Sequence, residues 1–181
     1  MPWPPEQPLA AEPPAGETSH GIVDGMQLPM LGSLISIRLA LGANRIVWNL
    51  QTAERALTLC LRSPSEAPRL LEKALRERAR ALFVERLAHY APQLGVDLPA
   101  LSLSAARTRW GSCSRRTGIR LNWRLIHFAP PLIDYVVIHE LAHLREMNHG
   151  ARFWSIVAEL YPDYRSARAE LRRCATHCPY W

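Results

Sequence analysis

The sequence predicts an α+β fold, a small, twisted, mostly antiparallel sheet packed on an apolar helix with further helices flanking it. Three patterns predict it. Apolar and polar residues alternate over residues 35–41, 57–61 and 119–125, the period-two signature of half-buried strands. Leu71, Leu75, Ala79, Phe83 and Leu87 recur at helical spacing. A nearly unbroken apolar run, from Tyr135 through Ala142, follows Pro130-Pro131 and reads as a buried helix.

Taken in order, residues 1–30 read as a proline-rich, disordered tail; six of the first fourteen residues are proline. Residues 31–181 read as a single domain, with no internal repeat and no second boundary. Its first strands fall at residues 35–41, 46–50 and 57–61, with Gly42-Ala43-Asn44 as a turn, and a meander is the natural arrangement. Ser63-Pro64-Ser65 stops the sheet, and a helix runs from about Glu66 to Tyr90, ending before Gly95. A strand covers residues 101–104. Arg115-Arg116-Thr117-Gly118 forms a hairpin tip, and the strand beyond it extends over residues 119–128. A helix then runs from Pro131 to about Met147, followed by two shorter ones at about residues 152–160 and 162–173.

At 181 residues the chain is long enough for one good core. No apolar run approaches the ~18 residues needed to span a bilayer, so no membrane role is expected. The N-terminal residues lack the basic and apolar regions of a secretory signal. With four cysteines and no such signal, a reduced, cytoplasmic setting is expected. The net charge is +6. Between residues 98 and 133 there are six arginines and no acidic residue. Such a stretch suits nucleic acid or an acidic substrate; the competing reading is a solvated sheet face.

The chemistry-bearing pattern is His139-Glu140-Leu141-Ala142-His143 on the apolar helix. Side chains four apart on a helix lie one above the other, roughly 6 Å apart at Cβ. Two imidazoles so placed can converge on one ion at ~2.0–2.1 Å each. Glu140 is displaced by ~100° from His139, so it borders the histidine stripe and is suited to act as general base on a metal-activated water. His149 is the obvious third ligand, with Glu159 and Asp163 as rivals. An unbroken helix would put His149 ~9 Å further along and about 120° round from His143. The helix must therefore end first; Asn148 can take the left-handed conformation that ends it, and Gly150 loosens the next step. Three protein ligands leave a coordination place for solvent, as in catalytic zinc sites. An oxyanion donor is also needed; Tyr135, Arg109 and Asn122 are the candidates. If the strand at residues 119–128 borders the cleft, an extended peptide could add to the sheet there.

The chain resembles the YgjP-type metal-dependent hydrolases, which are similar to SprT-type zinc proteases. The resemblance is carried by Arg109-Trp110-Gly111-Ser112-Cys113-Ser114 and by Gly118-Ile119-Arg120-Leu121-Asn122-Trp123-Arg124-Leu125-Ile126. It continues in Ile133-Asp134-Tyr135-Val136-Val137-Ile138-His139-Glu140-Leu141-Ala142-His143, in Asn148-His149-Gly150 and in Phe153-Trp154. It implies a zincin fold, one zinc ion held by His139, His143 and His149, Glu140 as general base, and a peptide or protein substrate. The short gap between His143 and His149 departs from the SprT pattern, so SprT function does not carry over. The gap equals that of the metzincins, but Glu146 stands where their turn glycine would be. A hydrolase of a non-peptide amide or ester, and a DNA-associated module, are the alternative functions.

Smaller signals point to structure. Cys113 reads as a small, partly buried residue near a hairpin rather than a nucleophile. Trp110 and Trp123 read as core residues with arginines snorkelling beside them, rather than base-stacking platforms. Cys174, His177 and Cys178 form a C-x-x-H-C pattern that lacks a fourth metal ligand. His89 and His127 read as structural or exposed.

Overall fold

The computed structural model describes residues 21–179. It is α+β, with seven strands in two separate sheets and four α-helices. Residues 1–20 of the expected tail lie outside the described residues. The boundary placed at residue 31, however, falls inside a hairpin: β1 (Gln27–Met30) pairs antiparallel with β2 (Ser33–Leu41). Leu31 (φ 52°) and Gly32 (φ 77°) are both left-handed, giving a tight two-residue turn whose twist suits the flanking strands. The Leu31 N–H donates to the Ile126 carbonyl (2.9 Å). A Cβ on Gly32 would sit 3.3 Å from the Ala129 side chain. The hairpin tip is thus pressed against the segment that leads into the helix starting at Pro130. Pro29 is tolerated because β1 is an edge strand.

The first sheet has the order β1-β2-β4-β3, with β3 at Arg45–Asn49 and β4 at Ala56–Leu61. It is not the expected meander. β4 inserts between β2 and β3, parallel to the former and antiparallel to the latter. Burial explains the exchange. β4 buries five of its six residues, whereas β3 exposes Arg45, Val47 and Asn49. The more apolar strand takes the interior and the more polar one the edge. Ile35, Ile37, Leu57 and Leu59 form the buried face.

α1 (Ala67–Tyr90) buries Leu71, Ala74, Leu75, Ala79, Phe83 and Leu87 as one stripe. α2 (Pro130–Arg145) starts on two prolines and is buried from Leu132 to His143 except at Asp134. Arg86 of α1 clamps that exception: its Nε and Nη2 donate to the two Asp134 oxygens at 2.6 and 2.7 Å, and Nη2 also donates to the Tyr90 hydroxyl. Both partners of this fork are largely buried, so it fixes α2 against α1 more firmly than a surface pair would.

The second sheet has the order β5-β7-β6, with β5 at Leu101–Ser104, β6 at Gly111–Ser114 and β7 at Gly118–Asn122. β7 pairs parallel with β5 and antiparallel with β6. The strand expected over residues 119–128 stops at Asn122, and Trp123–His127 is a 3-10 helix. Asn122 causes the switch: its side-chain oxygen accepts the Arg124 N–H at 3.1 Å and caps the new helix. α3 (Ala151–Leu160) and α4 (Tyr164–Ala175) close the structure against α2. Among the described residues, no helix is long and apolar enough to cross a membrane.

Candidate metal centre

His139 and His143 lie on α2, 1% and 9% exposed, with their rings 5.1 Å apart. α2 ends at Arg145, and the required turn follows, though not by the expected device. Among the described residues Leu31 alone, apart from glycines, has positive φ, so Asn148 is not left-handed. Glu146 is extended instead (φ −139°), and its Oε1 accepts the Asn148 N–H at 3.2 Å. No glycine is needed at that position. The turn brings His149 back: its Nε2 lies 3.1 Å from the His139 Nε2. One ligand atom from each of the three histidines lies within 4.8 Å of the others.

The donor set fits a divalent metal. Two nitrogens at ~2.0–2.1 Å from a tetrahedral ion are about 3.3 Å apart, close to the observed 3.1 Å. Burial holds all three imidazoles below their usual pKa: His139 well below, His143 below, and His149 at about 4, where the neighbouring His143 adds to the effect. Neutral imidazoles are the form that coordinates. His143 Nδ1 lies 3.3 Å from the Glu146 carbonyl, which accepts from it and leaves Nε2 for a ligand. The rivals stay out. Glu159 pairs with Arg145 (3.7 Å). Asp163 precedes α4 and does not join the cluster.

Phe153 and Gly111 complete the site, and residue-level reasoning on the sequence assigned a role to neither. Phe153, on α3 and four residues past His149, places its ring 4.5–4.9 Å from all three imidazoles and is fully buried. It is an apolar floor that restricts their rotation. Its spacing from His149 was the available signal. Gly111 opens β6, which lies across α2 directly over Glu140. A Cβ there would fall 2.7 Å from both Cγ and Cδ of Glu140, and closer still to Oε1. A side chain there would have to displace that of Glu140.

Glu140 is 2% exposed. Burial pushes its carboxyl up to about 8, and Arg109 pulls it back. Of the three proposed oxyanion donors, one is committed elsewhere and another is buried. Asn122 is fully buried, donating to the carbonyls of Ala106 (2.7 Å) and Arg109 (3.3 Å). Tyr135 is 1% exposed, with its ring packed near His139 and Tyr161. Arg109 alone of the three is exposed, on the loop that Asn122 holds in place. The expected substrate strand is also displaced: β7 is paired on both sides, and β6 is the edge strand beside Glu140.

Cys113 sits on the inward face of β6, where burial and the Glu140 charge raise its thiol to about 11, unsuited to a nucleophile. Trp110 and Trp123 are core residues, with Arg124 4.5 Å over the Trp123 ring. Cys178 is buried, and Cys174, His177 and Cys178 form no metal-binding group among the described residues.

The model of the family described as YgjP-like, metallopeptidase domain, matches residues 7–174. Over 72 residues the chain is 26% identical to an Escherichia coli (strain K12) protein named UTP pyrophosphatase, covering 40% of this chain and 43% of that protein. The chain thus aligns with less than half the length of this relative. No solved structure matches the chain.

Proposed function

Because the chain belongs to the YgjP-like metallopeptidase-domain family, we propose that it is a zinc-dependent hydrolase of peptide bonds, with His139, His143 and His149 as metal ligands and Glu140 as general base. One observation carries this reading: the Glu140 carboxylate lies beneath Gly111 of an edge strand, on the same helix as two of three clustered imidazoles. A divalent ion held by those imidazoles would lower the pKa of a coordinated water and polarise the scissile bond. Glu140 accepts the proton of the attacking water on its carboxylate and returns it to the leaving amine. Its burial excludes competing bulk water. An extended peptide pairing with the free edge of β6 would run past Gly111 and set a carbonyl near Glu140. Arg109, on the loop two residues before Gly111, supplies positive charge that acts on Glu140 and favours an oxyanion developing near it.

A second reading is hydrolysis of a phosphoanhydride. It is favoured by the name of the Escherichia coli relative and by the exposed Arg109 guanidinium, whose charge acts on Glu140. One experiment separates the two. The metal-loaded protein and Glu140→Gln are assayed on a broad peptide library and, in parallel, for pyrophosphate release from UTP. Peptide cleavage lost in the variant supports the first reading. Pyrophosphate release lost in the variant, without peptide cleavage, moves the assignment to the second. Activity on either substrate that survives Glu140→Gln contradicts the role given to Glu140.

A further inference from the structure

The net charge of this chain has a single address. The stretch between residues 98 and 133 holds six of the 22 basic residues and none of the acidic ones. The remainder is balanced, sixteen of each sign, so the whole +6 belongs to that stretch. It folds as the second sheet and the 3-10 helix after it.

The fold spreads these charges along one ridge. On β7, Ile119 and Leu121 point into the core and Arg120 points out, between Ser102 and Ser112 of the neighbouring strands. Arg120 Nε lies 3.4 Å from the Ser102 hydroxyl oxygen. Arg115 and Arg116 are exposed at the hairpin tip beyond one end of β6, and Arg109 is exposed before its other end. Four residues at ~3.3 Å each put those ends roughly 13 Å apart. Among the described residues, no carboxylate forms a salt bridge with Arg109, Arg115, Arg116 or Arg120. Arg109 lies two residues before Gly111, the end of β6 that passes over Glu140.

We infer that this ridge binds the phosphodiester backbone of a nucleic acid, without reading its bases, and holds it along the rim of the hydrolytic centre. Guanidinium and serine hydroxyl donors are the groups that contact phosphate oxygens. The two tryptophans of the stretch are buried, so they offer bases no stacking surface. A polymer lies along the ridge and presents phosphates to both ends together, whereas a single nucleotide carries its phosphates in one cluster. The hydrolase reading enters only in what the ridge borders; binding itself is independent of catalysis.

The test uses the full, metal-loaded chain and a labelled strand of about 20 nucleotides, as single-stranded DNA, as duplex and as RNA of the same sequence. Fluorescence anisotropy is followed across a salt titration, with UTP as competitor. Binding on the order of micromolar at low salt is expected, indifferent to sequence, with log–log salt slopes of about −0.7 to −0.9 per phosphate contact. The variant Arg115→Gln/Arg116→Gln/Arg120→Gln should bind at least ~10-fold more weakly with a shallower slope, its melting temperature and metal content unchanged. Three results would each overturn the inference: no binding at low salt, full binding by the triple variant, or competition by UTP as strong per molecule as by the unlabelled strand. None of them touches the Glu140 assay, so the two proposals fail separately.

Discussion

Arg38 projects from the middle of β2 and meets Glu54 and Asp24. Arg120 projects from the middle of β7 and meets a serine. The two sheets are otherwise alike, each combining parallel and antiparallel pairs and each burying one face. The first pairs its outward arginine and serves as scaffold, meeting the 3-10 helix that precedes α2 at Leu31 and through the Pro29–His127 contact. The second lies on α2, has no salt bridge at Arg109, Arg115, Arg116 or Arg120 among the described residues, and gives up a side chain at Gly111 where Glu140 approaches. One sheet is organised for stability; the other trades neutrality and packing for a site.

The sharpest way to break that contrast is Gly111→Ala. The added methyl collides with Glu140, so kcat/KM should fall by ~100-fold or more while metal content is unchanged. Normal turnover in this variant would mean that the second sheet does not constrain the base.

A smaller effect concerns Glu140 in metal-free protein. Burial raises its pKa from 4.5 to about 8, so the native state holds a proton that the unfolded chain releases. That stability is present below pH 4.5 and is lost as pH rises through 8, by on the order of 5 kcal/mol. Glu140→Gln should therefore make the metal-free protein more stable at pH 8, with the difference closing towards pH 4.5, as read by denaturant titration. Equal stability at both pH values would contradict the burial.

The scaffold side titrates in the opposite direction. His127 Nδ1 donates to the Pro29 carbonyl (2.8 Å), and burial lowers the pKa from 6.5 to about 4. Its contribution is complete above pH 6.5 and disappears as pH falls through 4, on the order of 3 kcal/mol. His127→Gln should flatten the stability profile in that window and leave kcat unchanged at neutral pH. A steep profile in the variant would assign the acid sensitivity elsewhere.

Local chemistry was legible in the sequence, and long-range pairing was not. The spacing of His139 and His143, the periodicity of α1, and the need for the chain to turn before His149 are all short-range constraints. The device that makes the turn was misread, because an extended Glu146 does what a left-handed Asn148 could have done. The parallel pairing of β2 with β4 depends on which strand is the more apolar when both compete for the interior, a comparison across the sheet. Asn122, one of three candidate oxyanion donors, uses its side chain to end the strand. Gly111 carried no periodic signal, since its role is defined by a side chain 29 positions later.

Metal analysis of the purified chain, with the same analysis of His149→Ala and Glu140→Gln, tests the central claim most directly. The account predicts about one transition-metal ion per chain in the wild type and in Glu140→Gln, and a large loss in His149→Ala. A folded wild-type protein that takes up no metal, or a His149→Ala variant that holds it as tightly, would contradict it.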